Sequence, residues 1–163
     1  MHNQPMFRPA AEADTELLLD FMRDYYAFDG HGYDRVKARA ALVPLLNDSN
    51  LGRAWIILDG ESPIGYAVLC FGYSLEWLGR DAFVDEIFLR DDYRGRGWGE
   101  NIMAFLEHEA REAGIRALHL GVVKGNHRAL HLYEKVGFHK HESTFLSKWI
   151  ASEGSKPQGH HGY

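Results

Sequence analysis

The stretch from Asp91 to Gly114, DDYRGRGWGENIMAFLEHEAREAG, sets Gly95, Gly97 and Gly99 at every second position beside Arg94 and Arg96, directly before an amphipathic helix. Glycine loses more backbone entropy on folding than any other residue, so three in so short a turn require a reason. A tight strand-to-helix turn accounts for one or two of them. A seat for an anion accounts for all three. Without Cβ atoms the main-chain N–H groups can face outward, and the helix adds unpaired amides and the positive end of its dipole. A phosphate or pyrophosphate is the natural guest. The G-x-G-x-G spacing is not the dinucleotide G-x-G-x-x-G, and no G-K-[ST] follows, so two familiar phosphate loops do not fit.

Other chemistry-bearing residues point elsewhere. His127 and His131 stand at i, i+4, a spacing that can bind a metal, but "RAL" lies between them and two ligands are too few. They read as an exposed helix face, and no metal is expected. His119, in the apolar run ALHLGVV, reads as a satisfied core histidine. Cys70, the single cysteine, sits in IGYAVLCFGY and reads as a small core residue. His160 and His161 fall in a polar Gly/Ser/Pro-rich tail, read as solvated.

The elements that must position the glycine turn follow from periodicity and punctuation. MFR is a short first strand, and Asp14 can cap a helix to about Ala27. DRVKARAALVPLLN is a second helix, bent or broken near Pro44. Two β-rich runs joined at Asp59-Gly60 form a hairpin, and DAFVDEIFL is another strand. After the turn a helix runs from about Gly99 to Ala113 and stops at Gly114. ALHLGVV is a buried parallel strand, Asn126 caps a helix ending at Val136, and STFLSKW supplies a last strand. This order predicts an α/β fold. Its central sheet is mixed, an antiparallel N-terminal meander followed by a parallel pair, with helices on both faces.

The chain of 163 residues suits one domain over 1–150 with a flexible polar tail over 151–163. A net charge of -5 disfavours a general nucleic-acid coat. No apolar run reaches membrane-spanning length, and MHNQPMFRPAAEAD lacks a basic-then-apolar leader pattern. The expectation is a soluble cytoplasmic protein without membrane or nucleic-acid partners.

Arg94-x-x-Gly97-x-Gly99 matches the [QR]-x-x-G-x-[GA] acyl-CoA signature. VDEIFLRDDYRGRGWG, NHRALHLYEKVGF and MFRPAAEAD match further ordered motifs. Together, over nearly all of Met6 to Trp149, they resemble the GNAT superfamily of N-acyltransferases, and within it most of all the spermidine/spermine N-acetyltransferase-like branch. The resemblance implies acetyl-CoA in a splay between the strand ending at Leu89 and ALHLGVV. Its pyrophosphate would rest on Gly95, Arg96, Gly97, Trp98, Gly99 and Glu100, behind Arg94. Its pantetheine arm would pair with the main chain at Ile87, Phe88 and Leu89, and Asn126, Ala129 and Tyr133 would border it opposite. A homodimer is implied by the same analogy.

Acetyl transfer to an amine, by direct attack in a ternary complex, requires three things. The ammonium must lose a proton, at a cost of roughly 4–5 kcal/mol at pH 7 for a lysine-like amine. Charge developing on the acetyl oxygen needs a fixed donor, for which the family points to the Leu89 main-chain N–H. The departing thiolate needs a proton or hydrogen bond, for which it points to Tyr133. Asp85 and Glu86 are the base candidates. Neighbours on a strand point to opposite faces, so one could instead pair with Arg80 or Arg90. Asp85, aligned with the substrate-side glutamate of the polyamine branch, has a slight lead. Tyr25, Tyr26, Asp29, Glu76, Trp77 and Asp85 would shape the acceptor pocket, and aromatic faces with carboxylates favour a cation; the same aromatics could simply pack the sheet edge. The expected reaction acetylates a small primary amine, polyamine-like. The alternatives are an aminoglycoside, an amino-acid-like amine, a protein N-terminus, or a non-catalytic acyl-CoA-binding module.

Overall fold

The computed structural model describes residues 4–152. Strand β1 spans Met6–Pro9, helix α1 Thr15–Phe28, α2 Arg35–Asn47, β2 Gly52–Asp59, β3 Ser62–Ser74, β4 Gly79–Leu89, α3 Trp98–Glu112, β5 Ala117–His119 and α4 His127–Lys135. The sheet order is β1-β2-β3-β4-β5. The first four strands are antiparallel neighbours, and β4 and β5 are parallel. This is the expected mixed sheet.

Side chains alternate between two apolar layers, as strand geometry demands. Along β2, Ala54 and Ile56 face Leu18, Phe21, Met22 and Leu42 of α1 and α2. Trp55 and Ile57 face Ile102, Met103 and Leu106 of α3. The helices thus cover both faces.

Local signals explain most of the boundaries. Asp34 caps α2 by accepting from the amides of Val36 and Lys37, at 3.0 and 3.1 Å. Asp14 precedes α1 but does not cap it with its side chain. Its carboxylate is taken by Arg8, at 2.8 and 2.9 Å, and by the Ala11 amide at 2.8 Å. α2 passes through Pro44 without breaking. The hairpin turn falls on Gly60 and Glu61, because Asp59 already pairs with Ser62.

At the C-terminal side one expectation holds in part and another fails. ALHLGVV pairs only through Ala117, Leu118 and His119, which are half-buried, and the chain leaves the sheet at Leu120. STFLSKW forms no strand; Phe145 and Leu146 are exposed. β-propensity needs a neighbouring ladder to become a strand, and this segment pairs with none of the described strands. The tail from residue 153, with His160 and His161, lies outside the described residues. No helix among the described residues is long and apolar enough to cross a membrane.

Candidate active site

The three glycines of the turn serve two different needs. Gly95 and Gly97 have φ of 78° and 81°, in the left-handed region that side chains avoid. Gly99 lies inside α3, where a Cβ would meet Leu132 Cδ2 of α4 at 2.6 Å, so it lets the two helices close. Among the described residues, the amides of Gly95, Arg96 and Gly97 donate to no backbone or side-chain acceptor. Gly97 is the N-cap of α3 and supplies no side chain to cap it. The turn is therefore a row of open donors at the positive end of a fifteen-residue helix.

The arginines hold the turn rather than reach out from it. Arg94 Nε donates to the Leu89 carbonyl at 2.8 Å, its guanidinium pairs with Asp91, and its plane lies 3.9 Å from the Phe28 ring centroid. Arg96 Nε donates to the Asp92 carbonyl at 3.0 Å and lies over Tyr93 and Trp98. The Trp98 side chain is buried in the core, so only its amide belongs to the turn. Glu100 pairs with Lys135 of α4.

Next to the turn, β4 has an open edge. β5 pairs with β4 only at Asp81, Ala82 and Phe83. From Val84 to Leu89 that side of β4 has no strand beside it among the described residues. The Arg90 amide donates to Ile64 on β3, so the Leu89 N–H, one residue earlier, points to the open side, and the Ile87 N–H points with it. Phe88 turns its ring into the α1 layer.

Asp85 and Glu86 do not obey the simple alternation. Val68 pairs with Glu86 and Leu69 with Val84, so Asp85 is an extra residue, a β-bulge in β4. Val84 faces α3, whereas Glu86 faces α1. Asp85 acts on the α1 side as well. Burial first, and then the charges of Asp85 and Glu86, raise the proton affinity of the Cys70 thiol, Tyr25 and Tyr26. The bulge thus places both carboxylates towards one set of groups, correcting the expectation of opposite faces. Arg80 donates to the Ala113 carbonyl, and Arg90 stacks over Phe21.

The two acids differ in environment. Asp85 is exposed, while Glu86 is half-buried and accepts hydroxyl hydrogen bonds from Tyr26 and Tyr66, each at 2.5 Å. Burial pushes the Glu86 carboxyl above its ordinary value; the two tyrosines oppose this, and the Asp85 charge adds to it. Tyr25 feels Glu86, Asp29, Asp85 and Tyr133 together, so residues from α1, β4 and α4 converge here. Asp29 also holds His31 at 3.2 Å.

Asn126 caps α4 by accepting from the Ala129 amide at 3.1 Å. Seven residues on, the Tyr133 ring packs on Phe138 and the α3-side core. Its hydroxyl makes no hydrogen bond among the described residues, and burial raises its proton affinity.

Glu76 and Trp77 do not join this set. Trp77 packs on His119 and His141, with centroids 5.2 and 5.9 Å apart. They precede Gly79, and the six residues of strand from there to Asp85 span about 20 Å. The structure therefore sets Glu76 and Trp77 beyond the start of β4, apart from the carboxylates. His119 Nε2 is 3.2 Å from Asp81 but buried without a hydrogen bond, so it is not a satisfied core histidine. Burial pushes the Cys70 thiol up to about 12, which leaves it protonated. His127 and His131 are exposed. No group of three or more potential metal ligands occurs among the described residues.

Sequence reasoning missed Tyr66, which is buried in β3 and reads there as ordinary strand core. Of two surface hollows, one of about 250 Å³ lies by β2 and α2 and one of about 410 Å³ is lined by Phe28, Phe88 and Arg94 beside the turn; neither is lined by Asp85, Glu86 or Tyr133. The site is an open strand edge rather than an enclosed cavity.

The model of the acetyltransferase (GNAT) family matches residues 15–138. A thialysine N-epsilon-acetyltransferase of Bos taurus is 35% identical over 79 residues, 48% of this chain and 46% of that protein. A mycothiol acetyltransferase of Corynebacterium glutamicum is 29% identical over 145 residues, 86% of this chain and 46% of that protein. The matched part thus spans about half the length of these relatives. An integron cassette protein from the Cole Harbour Salt Marsh metagenome superposes with a TM-score of 0.80 at 29% identity, covering 92% of this chain and 93% of its own. A predicted acetyltransferase from Clostridium acetobutylicum, solved with acetyl-CoA, has a TM-score of 0.75 at 20% identity over 89% of this chain and 96% of its own, and shares the fold.

Proposed function

The chain belongs to the acetyltransferase (GNAT) family, and from that premise we propose that it transfers an acetyl group from acetyl-CoA to the primary amine of a small cationic acceptor. The observation that carries this reading is the bulge at Asp85. It turns two carboxylates towards Tyr25 and Tyr26, beside an open strand edge that leads to the glycine turn.

The chain's own groups fit the co-substrate. The free amides of Gly95, Arg96 and Gly97 receive its pyrophosphate, and the N–H groups of Ile87 and Leu89 face the side on which its arm would lie. Bound acetyl-CoA supplies the activated acetyl group. Leu89 N–H stands as the fixed donor to the acetyl oxygen. Tyr133 holds a proton on a hydroxyl that no other described group claims, suited to the leaving sulfur.

Asp85 and Glu86 divide the amine's needs between them. Exposed Asp85 attracts and orients the ammonium, and Asp29 and the tyrosine faces add to the attraction for a cation. Glu86, whose proton affinity burial raises above the ordinary carboxyl value, is the better matched of the two to accept the proton. That reverses the slight preference for Asp85 that alignment alone supports.

The relatives' names extend the acceptor class from polyamines to amino-acid-type amines, since they include a thialysine N-epsilon-acetyltransferase and an L-amino acid N-acyltransferase. The test is thiol release with saturating acetyl-CoA against a panel of polyamines, lysine-like amines, aminoglycosides and peptide N-termini. Turnover is expected with acceptors carrying a primary amine on a flexible cationic chain. Binding of acetyl-CoA without release for any amine would indicate an acyl-CoA-binding module instead. Failure to bind acetyl-CoA would refute the proposal outright.

A further inference from the structure

Tyr66 is 1% exposed, at the centre of the layer between the sheet and α1. Its ring packs among Phe21 and Phe88, with centroids 6.1 Å away in both cases. A phenylalanine would fill that space equally well. The hydroxyl therefore has one structural consequence, its 2.5 Å hydrogen bond to Glu86 Oε2. A buried hydroxyl needs such a partner. Tyr26, half-buried on α1, makes the matching bond to Oε1. One donor comes from the sheet and the other from the helix packed on it, so the carboxyl is fixed at both oxygens.

We propose, resting on the acetyl-transfer reading above, that Tyr26 and Tyr66 are positioning residues: a two-hydroxyl clamp that fixes Glu86 as the proton acceptor of the site. Both hydroxyls donate to the carboxylate form and so stabilise it against burial, which favours the neutral form. When the acceptor ammonium yields its proton, its N–H bond breaks as an O–H bond forms on Glu86. The nitrogen keeps its lone pair, and the carboxyl becomes neutral. The other groups facing this carboxyl are Tyr25 from α1, with Asp29 just beyond it, Cys70 from β3, Asp85 on β4, and Tyr133 on α4, which acts on Tyr25. None of these donates to Glu86.

The test is a carboxyl-carbon NMR titration of the glutamate-labelled full chain, with the Glu86 signal assigned by its loss in Glu86→Gln. It is run beside the pH profile of kcat/KM for the best amine in the panel. Removing one donor to a carboxylate is expected to move the Glu86 midpoint up by about one pH unit in Tyr66→Phe and in Tyr26→Phe, and further in the double variant. The acid limb of the profile should move with it, while the KM for acetyl-CoA stays unchanged. Tyr26→Phe, on the half-buried helix face, keeps the test available if Tyr66→Phe does not fold. An unmoved midpoint in the folded variants overturns the clamp. A moved midpoint with an unmoved acid limb overturns the role of Glu86 as proton acceptor. Absence of thiol release from the unmodified protein would sink the acetyl-transfer reading, and with it that role, while the titration would still decide the clamp.

Discussion

Gly97→Ala tests the anion seat, because the geometry separates strain from function. Gly97 sits at φ 81° and ψ 6° as the N-cap of α3. An alanine there costs roughly 1–2 kcal/mol in the left-handed region. A Cβ at this position meets nothing within 4 Å, so the cost is entirely in the backbone. The chain can hold the strained conformation and lose that stability, about 2–4 °C in Tm per kcal/mol for a domain of this size. Alternatively it can relax φ to negative values and turn its amides out of the seat. Losing one hydrogen bond to a charged phosphate is worth about 1.5–3 kcal/mol, or roughly ten- to a hundredfold in Kd. Gly114 provides the control: it has φ 73°, also meets nothing within 4 Å, and ends the same helix, about 22 Å away. Calorimetric titration with CoA should show at least about tenfold weaker binding for Gly97→Ala and no change for Gly114→Ala, with both variants losing some Tm. Equal CoA affinity of Gly97→Ala together with an unchanged Tm would refute the seat, because the turn would then have relaxed without any loss of binding.

Other perturbations give distinct outcomes. Arg94→Lys cannot reproduce the fork that joins the Leu89 carbonyl, Asp91 and the Phe28 face, so stability should fall by about 1–2 kcal/mol and acetyl-CoA binding weaken, measured by denaturation and titration. Tyr133→Phe keeps the packing on Phe138 and removes a hydroxyl with no described partner; kcat should fall roughly 10²-fold in steady-state assays while the KM for acetyl-CoA holds. Glu86→Gln should uncouple activity from stability. The folded-state pKa of Glu86 is raised, so its contribution to stability is fully present below the ordinary value near ~4.3 and is lost as pH rises through the folded value. The stability of Glu86→Gln relative to the unmodified protein should therefore increase from acid to neutral pH in denaturant titrations, while turnover disappears. A difference that does not change with pH would contradict the burial argument.

The sequence disclosed the features that rest on local rules. The glycine turn, the caps at Asp34 and Asn126 and the alternation along β2 need only neighbours a few residues away. So do the helices of the second half, and the mixed sheet follows from their order. Features that depend on distant partners were hidden. STFLSKW has strand-like residues but no strand beside it, and Trp77 is close to the carboxylates in sequence yet belongs to the far end of β4. Tyr66 looks like any apolar strand position until Glu86, 20 residues later, is seen to accept its hydrogen bond.

The bulge at Asp85 joins these levels. In a regular strand Val84 and Glu86 would share a face, and Asp85 would point away from both. Adding one residue against Val68 and Leu69 keeps Val84 in the α3 core and puts Glu86 in the α1 layer, with Asp85 influencing the same side. The apolar pattern before and after the bulge is thereby satisfied on opposite faces, so the core holds the bulge in place from both sides. Past the bulge, Ile87 and Leu89 again pack towards α3, and their N–H groups keep their direction towards the open edge. A single inserted residue therefore brings an accessible acid and a shielded one together, while leaving the adjoining strand regular enough to present its amides.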